Sequence, residues 1–231
     1  MYVELHAHSA FSFLDGASLP DELAAAAAEY GYSAMALTDH NGVSGSMEFA
    51  QAAAPLGLRA IHGAEVDLSL LWAIPSVELR RLTIAQTGRY LLLEFPYRGW
   101  PLALNSSVSA LVGQGVTPLL AHPERNPEVQ DRPERLGELV AAGALVQVTA
   151  ASLDGRLDRS AQSTAKRLLE LGLVHVLASD AHGPHIREAG LTAAARRVGD
   201  EGLARYLTIE VPGAIVAGEP VPEYPQVRLG A

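Results

Sequence analysis

Apolar runs in this chain stop repeatedly at a histidine or a carboxylate. The run Tyr2-Val3-Glu4-Leu5 ends in His6-Ala7-His8, and later runs end in Asp39-His40, Glu65, Glu94, His122 and Asp180-Ala181-His182. An ionisable group at the end of a buried strand is costly unless it is paired or ligated. Its recurrence in run after run means one polar site gathered at one end of a sheet or barrel. The pattern therefore constrains fold and chemistry together.

Between these runs lie helix signals. Ser18 is placed as an N-cap, Pro20 suits a first turn, Asp21 and Glu22 complement the dipole, and Gly31 ends the element, which includes the alanines 24–28. Further helices are expected over 44–56, 106–113, 133–142 and 164–171. Strands are expected over 33–37, 59–66, 90–93, 117–121, 144–149 and 174–178. The stretch 69–87, with Pro75 and mixed charges, yields no conformation; it and the loop 152–163 border the site, and one or two helices precede a proline-containing exit from Gly218. About seven strands alternating with helices imply a parallel sheet covered by helices. Seven or eight such units close most naturally into a barrel, with the site at the strands' carboxyl ends. An open doubly wound sheet is the alternative, but it collects residues from only a few strands at its switch point.

A length of 231 residues allows a substantial core, and 48% hydrophobic with 19% charged residues is a globular balance. We expect one domain over residues 1–231. No apolar stretch reaches 18 residues and no leader pattern opens the chain, so a cytoplasmic protein with no membrane partner is expected. Cysteine is absent, which excludes disulfides and thiolate-bound metals. The net charge of −9 argues against broad capture of nucleic acid.

Residues i and i+2 of a strand share a face, so His6 and His8 can serve one ion, and Asp180 and His182 repeat the spacing. Either pair alone could be solvated residues at a strand end. Glu65 and Glu94 could form salt bridges to a helix. Asp15, in Leu14-Asp15-Gly16, fits an ordinary turn. Together they make five histidines and four carboxylates, more donors than one ion uses. Nitrogen and oxygen donors without sulfur suit Mn²⁺, Fe²⁺ or Zn²⁺. Three divalent ions carry six positive charges and the four carboxylates cancel four. The residual charge attracts a phosphate dianion, so phosphate-ester hydrolysis leads, with metal-dependent amide or lactone hydrolysis open on the donor set alone.

The ordered set His6-Ala-His8, Thr38-Asp39-His40, Gly63-Ala-Glu65, Ala121-His122-Pro123 and Ser179-Asp180-Ala-His182 resembles the polymerase and histidinol phosphatase (PHP) family across almost the whole chain. The segment His8 to Ser18, with Ala36 to His40 and Gly63-Ala-Glu65, is similar to the PHP domain of bacterial DNA polymerase III α subunits, above all the error-prone type. From Tyr90 onward, Leu93-Glu94-Phe95-Pro96, His122-Pro123-Glu124-Arg125-Asn126, Gln147-Val-Thr149 and Gly172 to His182 resemble manganese-dependent tyrosine phosphatases of capsule operons.

The resemblance implies a distorted (β/α)7 barrel with a trinuclear centre, Mn²⁺ first. His6, His8, Glu65 and Asp180 would hold one ion; Glu65, Glu94 and His122 a second; Asp15, His40 and His182 a third. A hydroxide between ions would attack phosphorus, with Asp180 and His182 in the catalytic set. Arg125 would bind the substrate phosphate, its fork suiting that dianion. Arg187 would be a second phosphate ligand, although Arg187-Glu188 stands where the family has Arg-Pro, and His185 could touch substrate. Asp39 would orient His40, while His62 and His175 read as structural. The expected activity is that of a metal-dependent phosphatase, foremost a protein-tyrosine phosphatase acting on phosphorylated protein. Alternatives are a phosphodiesterase or 3′–5′ exonuclease, a histidinol-phosphatase-like enzyme, and a metal-stabilised interaction domain.

Overall fold

A computed structural model describes residues 2–183 and 190–226. Its strands are β1 (Val3–Glu4), β2 (Ala34–Leu37), β3 (Arg59–His62), β4 (Glu65–Asp67), β5 (Tyr90–Glu94), β6 (Thr117–Ala121), β7 (Leu145–Thr149) and β8 (Val176–Ala178). All pairings are parallel, in two sheets ordered β1-β2-β3 and β4-β5-β6-β7-β8.

Two single bridges join the sheets into a ring, Ala7 with Ala181 and His40 with Glu65. At the first, the His8 N–H donates to the Ala181 carbonyl at 2.8 Å; at the second, the Asn41 N–H donates to the Glu65 carbonyl at 2.8 Å. Both closures fall on or beside the suspected ligands. The open-sheet alternative is thereby set aside.

The expected strand over 59–66 is interrupted between β3 and β4. The Ala64 N–H turns to the Leu82 carbonyl at 2.9 Å, outside the ladder. A Cβ on Gly63 would come within 3.1 Å of the Ile84 Cα, so glycine permits this close crossing. Counted as one interrupted strand, β3 and β4 make the barrel seven-stranded and distorted, as the resemblance implies.

Outside the ring lie α1 (Pro20–Glu29), α2 (Ser46–Ala53), α3 (Ser76–Leu82), α4 (Leu104–Gly113), α5 (Pro127–Asp131), α6 (Leu136–Ala141), α7 (Ala150–Asp154), α8 (Arg159–Glu170), α9 (Thr192–Arg197), α10 (Glu201–Arg205) and α11 (Val211–Ala217). The buried Ala24 and Ala27 of α1 face the core that Met35, Leu37 and Phe49 share. Each large apolar side chain so buried contributes roughly 1.5–3 kcal/mol. A π-turn over Tyr206–Glu210 joins α10 to α11, where Pro212 offers no N–H to continue the ladder.

Some local expectations fail. Ser18 does not cap α1; the helix starts after Leu19, whose N–H donates to the Glu22 carboxylate at 2.8 Å. Residues 152–163 are not a loop. They span the end of α7 and the start of α8, which Asp158 caps by accepting the Ala161 N–H at 2.9 Å. The segment 69–87, unreadable from sequence, holds α3 between two single-turn 3₁₀ helices. Among the described residues, no helix is long and apolar enough to cross a membrane.

Candidate metal centre

The pleat of β1 sends Glu4, His6 and His8 to one face, and all three are fully buried. At the other end of the chain, Asp180 and His182 follow β8 at the same i, i+2 spacing. The bridge between Ala7 and Ala181 brings the two pairs together. His6 Nε2 lies 3.4 Å from Asp180 Oδ1 and 3.3 Å from Glu65 Oε2, which is itself 3.1 Å from His8 Nε2. Glu65 Oε1 faces His122 Nε2 at 3.4 Å. Asp15 Oδ2 meets His40 Nε2 at 3.1 Å and His182 Nε2 at 2.7 Å. The strand-end residues thus form one continuous cluster. His122 and Asp180 hold left-handed backbone, φ 36° and 52°, an arrangement costing about 1–3 kcal/mol and typical of functional positions.

Hydrogen bonds behind the cluster decide what its nitrogens offer. His6 Nδ1 lies 2.9 Å from the Gln147 side-chain oxygen, an acceptor, so Nδ1 carries the proton. His8 Nδ1 lies 3.0 Å from Ser12 Oγ, whose own proton goes to Asp39 Oδ1 at 2.8 Å. His182 Nδ1 donates to the Asp180 carbonyl at 2.8 Å. All three histidines therefore turn Nε2 toward the centre. His6 Nε2 and His8 Nε2 stand 2.9 Å apart, where two lone pairs repel unless a proton or a cation lies between them. Glu65 Oε1 is buried and makes no hydrogen bond. Convergent imidazole lone pairs around such a carboxylate fit divalent cations bound through nitrogen and oxygen.

The electrostatics describe the same centre holding protons. Burial opposes a charge on His6, but Glu65 and Asp180 outweigh it and push the imidazole up to about 10. Burial holds His8 down, to about 4. The proton between the two Nε2 atoms therefore belongs to His6, with His8 accepting. Despite burial, Glu65 and Asp180 are held well below the carboxylate range, chiefly by charged His6. The hydrogen bond that the His40 imidazole donates to the Asp15 carboxylate raises His40 to about 9.

Arg125 Nη1 donates to Asp180 Oδ2 at 2.9 Å, which sets its guanidinium at the edge of the cluster. Its Cζ lies 4.8 Å from the centroid of the Tyr97 ring, and that ring stacks on His122 at 5.7 Å. The fully buried Glu124 beside it accepts from Ser152 Oγ at 2.7 Å and the Thr149 N–H at 3.1 Å.

Sequence reading and geometry part at several residues. The Glu94 carboxylate groups with His40 and Asp67. Asp67 was missed, although Glu65-Val66-Asp67 has the same i, i+2 spacing that singled out the histidine pair. Burial first, then a hydrogen bond to Asp67, pushes Glu94 up to about 8, and Asn41 Nδ2 secures Asp67 Oδ2 at 2.6 Å. The Asp39 carboxylate is taken by Ser9 and Ser12, and through Ser12 Oγ it is linked both to His8 Nδ1 at 3.0 Å and to the His40 backbone N–H at 3.2 Å. Gln147 and Glu4 were also missed as supports. Glu4 accepts from the His6 N–H and the Ser179 N–H, each at 2.9 Å, tying together the two closing strands. His62 lies outside the cluster and burial lowers it. His175 accepts the Val146 N–H at 3.2 Å, a structural role. His185 and Arg187 fall outside the described residues.

Fold and site define a PHP-type β/α barrel with a histidine and carboxylate cluster at its carboxyl-end mouth. More narrowly, the chain belongs to the CpsB/CapC capsular polysaccharide synthesis family, whose model matches residues 21–216. It is 32% identical over 204 residues to the tyrosine-protein phosphatase YwqE of Bacillus subtilis, covering 80% of this chain and 79% of that one. A solved structure, described with YwqE and Streptococcus pneumoniae CpsB as metal-dependent tyrosine phosphatases, superposes with TM-score 0.75 at 26% identity, covering 94% and 96% of the two chains. An organophosphorus hydrolase variant from Deinococcus radiodurans shares the fold at TM-score 0.57 and 13% identity, over 92% of each chain. A 67-residue stretch is 60% identical to the error-prone DNA polymerase of Mycobacterium tuberculosis; it covers 29% of this chain and 6% of the length of that polymerase.

Proposed function

We propose that this chain is a metal-dependent phosphoesterase that hydrolyses phosphomonoesters, with phosphotyrosine in protein as its substrate. The observation carrying this reading is Arg125, held at 2.9 Å on Asp180 beside the convergent imidazoles of His6, His8 and His182. The relatives named as tyrosine phosphatases support it across most of the chain. His6, His8, Asp15, His40, Glu65, Glu94, His122, Asp180 and His182 would hold the ions, three by the donor count and Mn²⁺ by their type, with Asp67 as a further donor. Divalent ions in such a site acidify water near neutral pH and neutralise phosphoryl oxygens.

The chain's own groups do the rest. Arg125 offers a planar fork that binds a dianion in bidentate fashion and stabilises charge on the equatorial oxygens. Gln147, Ser12 and the Asp180 carbonyl hold three imidazoles in one tautomer, so the site needs no rearrangement during turnover.

A 3′–5′ exonuclease is the second reading, favoured by the 60% identity of the 67-residue stretch to error-prone polymerases. Protein loaded with Mn²⁺ and offered a phosphotyrosine peptide, histidinol phosphate, an aryl phosphodiester and single-stranded DNA separates the readings. Release of phosphate from the peptide is expected; cleavage of DNA with an untouched peptide refutes the phosphatase reading.

A further inference from the structure

The loop leaving β5 carries an aromatic ring into direct contact with two residues of the proposed site. The Tyr97 ring lies 5.7 Å from that of His122, at an interplanar angle of 21°, and 4.8 Å from the Arg125 guanidinium carbon. This position is built. The fully buried Asn126 donates through Nδ2 to the Pro96 carbonyl at 2.6 Å and to the Gly99 carbonyl at 3.0 Å, gripping the loop on both sides of Tyr97. The same Asn126 caps α5 by accepting the Glu128 and Val129 N–H groups. Tyr97, Arg125 and His122 are thus locked into one unit. Tyr97 nevertheless remains 46% accessible, so part of this held ring is presented at the mouth of the site.

Resting on the phosphoesterase reading, we propose that Tyr97 is a specificity residue: the accessible part of its ring packs against the aromatic ring of an aryl phosphate whose phosphate is held by Arg125, and it selects aryl over alkyl phosphomonoesters. Two physical requirements are met together. The anion needs a guanidinium at the mouth, and a cation over an aromatic face keeps that guanidinium in place once Asp180 is committed to a cation. An aryl leaving group needs an aromatic partner within 4.5–7 Å of its own ring. An alkyl phosphate gains from Arg125 alone.

The test uses non-hydrolysable probes as well as turnover. Protein loaded with Mn²⁺ is titrated with benzylphosphonate and with ethylphosphonate, as wild type, Tyr97→Phe and Tyr97→Leu. Wild type and Tyr97→Phe are expected to prefer the benzyl probe, and Tyr97→Leu to lose roughly three- to tenfold of that preference, the usual range for one aromatic contact. Metal content should be equal in all three. A preference unchanged in Tyr97→Leu, or affinity for both probes falling in parallel, overturns the proposal. Turnover of a phosphotyrosine peptide, measured alongside, tests the parent reading separately. An intact benzyl preference without hydrolysis refutes the phosphatase and leaves Tyr97 as an aryl-binding residue.

Discussion

Gln147→Leu tests whether the hydrogen bonds behind the cluster set its affinity for metal. The Gln147 side-chain oxygen lies 2.9 Å from His6 Nδ1 and accepts the His122 N–H at 3.3 Å, so one amide serves two ligand residues. Leucine keeps the volume and removes both acceptances. Two buried donors are then orphaned, while the Gln147 amide nitrogen, itself buried without a partner, disappears. The net is one additional unsatisfied donor, a loss of about 1–3 kcal/mol in the metal-free protein. Freed of its acceptor, His6 can place its proton on Nε2 and withdraw that lone pair from the centre. Loss of such support typically weakens metal binding about 10–100-fold. At metal a hundredfold above the wild-type Kd, the stabilisation by metal should fall from about 2.7 kcal/mol toward about 0.4 kcal/mol for a hundredfold loss. Chelator-buffered Mn²⁺ titration and thermal melts with and without metal measure both effects. A folded Gln147→Leu protein with wild-type affinity and an undiminished metal-induced shift would refute the reasoning.

Other outcomes follow from the same geometry. His6→Ala and Asp180→Ala should each abolish phosphate release while the circular dichroism spectrum stays that of the folded barrel, because each removes a ligand; activity surviving in His6→Ala rejects the ligand assignment. The protonated state predicts that metal uptake releases protons. His6 and His40, raised to about 10 and about 9, are charged at pH 7–8 without metal and must lose their protons to bind it. Affinity should therefore rise with pH up to about 10, and titration calorimetry in buffers of differing ionisation enthalpy should reveal the release; identical heats in all buffers contradict it. For the metal-free fold the sign is opposite. The charged His6 contributes stability in full below its unfolded value near 6.5, and that contribution is lost as pH rises through about 10. Urea midpoints across that range measure it.

What the sequence determined alone was whatever repeats locally. Alternating apolar strands and helices dictated a parallel β/α arrangement, and the i, i+2 spacing of His6 with His8 and of Asp180 with His182 singled out two pairs of residues that the fold brings into one cluster. The same rule reaches Asp67 from Glu65. Helix starts were less legible: Pro20 and the reach of Glu22 back to Leu19 overrode the serine cap. Tertiary structure decided everything that depends on distant segments meeting. The interruption at Gly63 arises where the chain crosses Ile84, 21 residues away in sequence. Asp39 reaches His8 as well as the backbone of its neighbour His40 because Ser9 and Ser12, brought over on the β1 loop, take its carboxylate. Gln147 reaches His6 across 141 residues, and Tyr97 meets Arg125 through Asn126. No local pattern encodes those contacts, since each joins segments that only the folded barrel brings together.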